Sequence, residues 1–149
     1  MKLVRALVLA VLAIQLDAPV WADPLLTYAL RIKGHPLRAE LANDDETRTT
    51  GLMFRQQMAD NSGMLFVYEN EARHAMWMKN TLIGLSVAFI DKRGRIINIE
   101  DMEPQTEEAH AARAPAAFAL EVNQGWFKKR GIKAGDRIEG LEKIPKSKD

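Results

Sequence analysis

The chain has 149 residues, no cysteine, and 21 basic against 20 acidic side chains. The missing cysteine excludes a thiol nucleophile, a disulfide framework, a cysteine-held metal and a lipid attached through an N-terminal cysteine. The near-zero net charge offers no broad field to draw the protein onto nucleic acid or anionic lipid, so neither is expected as a partner.

Met1-Lys2-Leu3-Val4-Arg5 is a short basic start, followed by the apolar run Ala6 to Leu16, broken only by Gln15, and then by Val20-Trp21-Ala22. A membrane span takes about 18 or more apolar residues, so residues 1–22 read as a cleavable secretory signal cut after Ala22. The membrane enters only if that segment stays uncleaved. The expected working part is a single exported domain, residues 23–149, in the periplasm or outside the cell. It carries 19 basic and 19 acidic residues and is held by packing alone.

Leu26 to Lys33 and Leu37 to Ala42 alternate around Gly34-His35-Pro36 and predict a hairpin. Asn43-Asp44-Asp45-Glu46 supplies a helix start, predicting a helix from about Asp45 to Phe54. Gly51 inside it costs about 1 kcal/mol relative to alanine, which implies close packing or an early end. After a polar loop, Met64 to Tyr68 and His74 to Lys79 predict strands. Leu85 to Ile90 and Arg95 to Glu100 flank Asp91-Lys92-Arg93-Gly94, a second hairpin signal. Met102 to Pro115 predicts a surface loop, Ala116 to Val122 a strand, Gln124 to Arg130 a helical turn closed by Gly131, Gly135 to Glu139 a last strand, and Pro145 to Asp149 a solvated tail. The expected fold class is mainly β: one sheet or barrel-like domain of seven or eight short strands with two short helices.

Gly51-Leu52-Met53-Phe54-Arg55, Gly63-Met64-Leu65-Phe66, Trp77-Met78-Lys79-Asn80-Thr81, Leu120-Glu121 and Gly135-Asp136 occur in that order. Together they resemble the DUF192 family of small, often exported domains, over a core of about residues 30–139. The resemblance implies a compact, mostly β domain and brings no activity with it. Two departures stand out. The family's Pro-Leu-Asp stretch is Gly84-Leu85-Ser86 here, which takes a charge away from position 86. Met76 stands where the family has an aromatic before the Trp.

Three constellations can carry chemistry. Trp77 leads directly into Lys79, Asn80 and Thr81, which offer a cation, an amide and a hydroxyl beside an aromatic wall, and Arg55 can join them as an anion clamp. Arg55, Trp77, Lys79 and Asn80 are therefore the expected ligand contacts of a noncatalytic binding or accessory domain. Its partner would be an unknown small molecule or protein. Glu121 shares a strand face with Ala117 and Ala119, where a carboxylate needs a partner; Arg55 or Lys79 can serve. A hydrolase-like or lyase-like enzyme would use Glu121 as its candidate catalytic acid or base, with Lys79 and Arg55 stabilising negative charge. The third reading is copper handling, since His74, Met76 and Met78 fall on one face of a strand and imidazole with thioethers suits Cu(I). Against it, methionines at this spacing are ordinary core residues, and no metal or other cofactor is expected.

Overall fold

The computed structural model describes residues 26–149. The secretory signal proposed for residues 1–22 lies outside the described residues, as do residues 23–25.

The alternating segments become strands largely where their pattern puts them: β1 Thr27–Ile32, β2 His35–Ala42, β5 Leu85–Ile90, β6 Ile96–Met102 and β8 Ala116–Asn123. Strand β3, Ser62–Ala72, is longer than its apolar stretch, and β9 shrinks to Ile138–Glu139. The sheet order is β6-β5-β8-β3-β2-β1-β9. Every pairing in it is antiparallel except β2 with β3. A parallel pair needs a crossover connection, and residues 43–61 provide it. The sheet curls toward closure: Arg95 bridges Arg137, and Ile96 donates its N–H to the Asp136 carbonyl at 2.9 Å.

His74 to Lys79 does not form one strand. Only Ala75–Met76 (β4) does, and it pairs with His110–Ala111 (β7), a two-residue strand inside the segment expected to be all loop. The next residue that bonds, Met78, sends its N–H to the Thr106 carbonyl at 3.0 Å, so the chain turns away from the strand direction after Met76. With β7 the described residues hold nine strands, and two short helices accompany them.

Helix α1, Asp45–Thr50, begins on Asp44. The Asp44 carboxylate accepts the Thr47 N–H at 2.9 Å, and Thr47 Oγ1 reaches back to the Asp44 N–H at 3.3 Å, so two free backbone donors are satisfied. The helix ends at Gly51, whose φ of 49° suits glycine and whose N–H closes on the Thr47 carbonyl. It is therefore shorter than the Phe54 end read from the sequence. Helix α2, Trp126–Lys129, buries Trp126 and Phe127.

The two faces of the sheet carry separate cores. Leu30, Ile32, Leu65, Leu120, Trp126 and Ile138 pack on the inner side of the curl. Met64, Phe66, Met78, Val87, Phe89 and Met102 pack on the other, joined by Leu52, Met58 and Ile83 from irregular chain. A fully buried Phe89 is worth about 1.5–3 kcal/mol through its apolar surface alone. The tail is not free in solvent: Lys148 donates its N–H to the Asn43 carbonyl at 2.8 Å, and Asn43 Nδ2 donates to the Lys146 carbonyl at 2.9 Å. Asn43 is buried and needs those partners.

Candidate functional site

Glu121 lies on the outer core face, between Met64 of β3 and Val87 of β5 in the cross-strand register. It is 4% exposed. Gly63 lets β3 and β8 close up beside it, because a Cβ at position 63 would stand 2.4 Å from the Glu121 carbonyl oxygen. Among the described residues, no hydrogen bond or ion pair engages the Glu121 carboxyl. No fully enclosed side-chain polar atom there lacks a partner, so the carboxyl keeps contact with open space. That space is a crevice of about 30 Å³, which Glu121 lines with Arg48, Thr50, Met53, Trp77 and Thr81. Burial pushes the Glu121 carboxyl up from its ordinary 4.5 to about 8. Tyr68, on the same face of β3, is also raised, chiefly by burial and then by the Glu121 charge.

The crevice walls are loops tied together through their backbones. Phe54 donates its N–H to the Asn80 carbonyl at 2.8 Å, and Gln105 to the Thr81 carbonyl at 3.0 Å. Phe54, Asn80 and Gln105 all hold positive φ, at 63°, 55° and 59°. Three of the four non-glycine residues with this conformation among the described residues thus meet at one place, and such conformations persist only where the surroundings impose them. Thr81 is buried, and its hydroxyl donates to the Lys79 carbonyl at 3.2 Å. Trp77, which lines the crevice, is 48% exposed, and next in the chain to lining residues Met53 and Thr81 stand the exposed Phe54 at 67% and Leu82 at 41%.

The residues expected to act together are only partly assembled. Trp77 lines the crevice. Asn80 contributes its carbonyl to the loop tie rather than its amide to the crevice. Arg55 is engaged elsewhere: its two terminal nitrogens donate to the two Glu40 carboxylate oxygens, both at 2.6 Å. Lys79 is half-exposed, 3.9 Å from Glu107, with its ammonium 5.2 Å from the Trp77 ring centroid. Neither cation pairs with Glu121. In the copper trio, the His74 ring stacks on Tyr68 with centroids 3.6 Å apart and bonds the Asn70 carbonyl. Met76 Sδ accepts the Tyr68 hydroxyl at 3.3 Å, and Met78 is enclosed in the outer core.

Sequence reasoning missed Arg48, Thr50, Phe54 and Tyr68. Their visible signal was weak, because each reads as an ordinary helix or strand residue until the crossover brings α1 over β3 and β8. Ser86 settles one departure differently from expectation. Its partners across the sheet are Asp101 and Val122, so it lies on the face opposite Glu121. Its hydroxyl donates to Asp101 at 2.5 Å and accepts the Gly125 N–H at 2.8 Å, fastening the turn into α2. The loss of charge at position 86 therefore bears on that turn and not on the crevice.

No curated protein matches this chain. Two solved structures do. A proposed transcription regulator from Sinorhizobium meliloti 1021 is 38% identical, with a TM-score of 0.77, over 81% of this chain and 98% of that one. A protein of unknown function from Novosphingobium aromaticivorans DSM 12444 is 33% identical, with a TM-score of 0.76, over 82% of this chain and 89% of that one. The DUF192 family, described as Uncharacterized ACR, matches residues 28–140, and with its ordered motifs accounted for in one fold the chain belongs to that family.

Proposed function

We propose that this is an extracytoplasmic binding domain whose ligand seats at the Glu121 crevice, between the Gly51–Arg55 and Trp77–Leu82 loops. The observation that carries this reading is Glu121 itself. A buried carboxyl with no protein partner costs stability, and such costs concentrate where a site needs the group. The enclosed space admits only the tip of a ligand; the body would rest on Trp77, Phe54 and Leu82 at the mouth.

Larger openings exist, and they support a site less well. A groove of about 700 Å³ runs by Arg31, Arg38, Ser62 and Glu139. It is wide and shallow, and its arginines already have partners in the Gly34 carbonyl and Thr27. Size without an unsatisfied polar group gives little specificity. The enzyme reading keeps Glu121 as an acid but loses its helpers, since Arg55 is held by Glu40 and Lys79 sits on Trp77.

Backbone amide spectra recorded against a fragment collection test the proposal. Binding should shift Gly51, Trp77 and Thr81 resonances. Shifts confined to the Arg31 and Glu139 groove would overturn it.

A further inference from the structure

We propose that the Glu121 crevice receives the primary ammonium group of an aliphatic amine, whose chain lies across Trp77 and Phe54. This rests on the binding reading above and names the ligand class for that site.

The charge around the crevice is the first reason. The segments flanking it, residues 44–58, 76–84 and 103–109, carry six carboxylates against three basic side chains, with Lys148 of the tail a fourth base at 3.6 Å from Asp44; the charged side chains that line the crevice itself are Glu121 and Arg48. Each of those three bases already faces a carboxylate. Arg48 bonds both Asp45 and Asp149, Arg55 is forked onto Glu40, and Lys79 stands near Glu107. The group left without a partner is the Glu121 carboxyl, so the complement it lacks is a donor, and a cationic donor makes the stronger contact to a carboxylate. An anionic ligand would meet a carboxyl with no free cation beside it.

The second reason is shape and surface. A water-sized group needs roughly 10–15 Å³ of such space, so a crevice of about 30 Å³ has room for a primary ammonium. Beyond the mouth the exposed groups are aromatic and aliphatic. Trp77 already draws the Lys79 ammonium to 5.2 Å from its ring, which demonstrates an aromatic face presented to cations.

The groups facing Glu121 are few. Tyr68 comes from β3 and Arg48 from α1, while the cross-strand neighbours Met64 and Val87 are apolar. At neutral pH the enclosed carboxyl holds its proton. Seating an ammonium beside it gives a carboxylate–ammonium pair, and the proton passes to the buffer. Seating an alcohol releases none. Proton release thereby separates the ligand class from the existence of the site.

The experiment is calorimetric titration of the protein with n-butylammonium chloride, n-butanol and sodium butyrate at pH 7, in two buffers of different ionisation enthalpy. Trp77 indole resonances report where each probe sits. Butylammonium should bind at least about tenfold more tightly than the other two, the equivalent of one good charge-assisted contact, and should release close to one proton. Glu121→Gln should abolish the release and the preference. Lys79→Met, which removes the competing cation from Trp77, should tighten butylammonium by about two- to fivefold. Butanol or butyrate binding more tightly at Trp77 would overturn the amine class and leave the site standing. Butylammonium binding unchanged in Glu121→Gln would overturn it as well. Failure of all three probes to perturb Trp77 would remove the site together with the ligand.

Discussion

Phe54 donates its backbone N–H to the Asn80 carbonyl at 2.8 Å, and both residues hold left-handed φ. The bond couples the loop after α1 to the loop after β4, so the crevice depends on two strained residues at once. Asparagine tolerates this conformation and β-branched residues do not. Asn80→Gly should be close to neutral. Asn80→Val should cost about 1–2 kcal/mol in denaturant unfolding, and should shift the Gly51 and Thr81 resonances.

Arg55 and Glu40 should show measurable coupling. The pair is forked and partly shielded from water, so a double-mutant cycle with Arg55→Met and Glu40→Gln should give about 1 kcal/mol. The same cycle on Lys79 and Glu107, exposed and 3.9 Å apart, should give close to zero. Equal values for the two pairs would contradict the view that Arg55 is a structural residue.

Ser86→Ala should destabilise by about 1 kcal/mol, because it strips the Gly125 N–H of its acceptor at a partly buried turn. It should leave ligand binding at Glu121 unchanged, since Ser86 faces the other core. Loss of binding would show that the two faces communicate.

Stability should depend on pH through Glu121. Its carboxyl titrates near 8 when folded and near its ordinary 4.5 when unfolded, so the folded protein holds this proton more tightly. The group's contribution is complete below pH 4.5, falls as pH rises, and is gone above pH 8. The slope between those limits approaches about 1.4 kcal/mol per pH unit. Glu121→Gln lacks this loss. The variant should match the wild type near pH 4.5 and exceed it progressively toward pH 8, as read by urea midpoints. A difference that shrinks with rising pH would mean that Glu121 has a cationic partner.

Much of the fold was legible because its signals are local. The Asp91 turn is an example: Asp91 Oδ1 accepts the Arg93 and Arg95 N–H groups at 2.8 and 2.9 Å, and apolar alternation on either side continues it into β5 and β6. The odd position of Glu121 was legible too, from a carboxylate placed among alanines. Its surroundings were not. Glu40 and Arg55 meet only because β2 and β3 are parallel and residues 43–61 cross between them, which no periodicity encodes. His74, Met76 and Met78 alternate correctly, yet Met78 leaves the strand for the Thr106 carbonyl. The tail looks polar and free in sequence, while the buried Asn43 holds it across more than 100 residues of chain.

Glu121 is buried at the floor of the crevice, and among the described residues its carboxyl has no partner. Its side-chain carboxyl carbon, followed by 13C resonance from pH 4 to 10, tests this most directly. A single titration centred near 8 is expected, moved downward when butylammonium is added. A titration centred below 5 would contradict it, because the carboxyl would then be solvated or already paired.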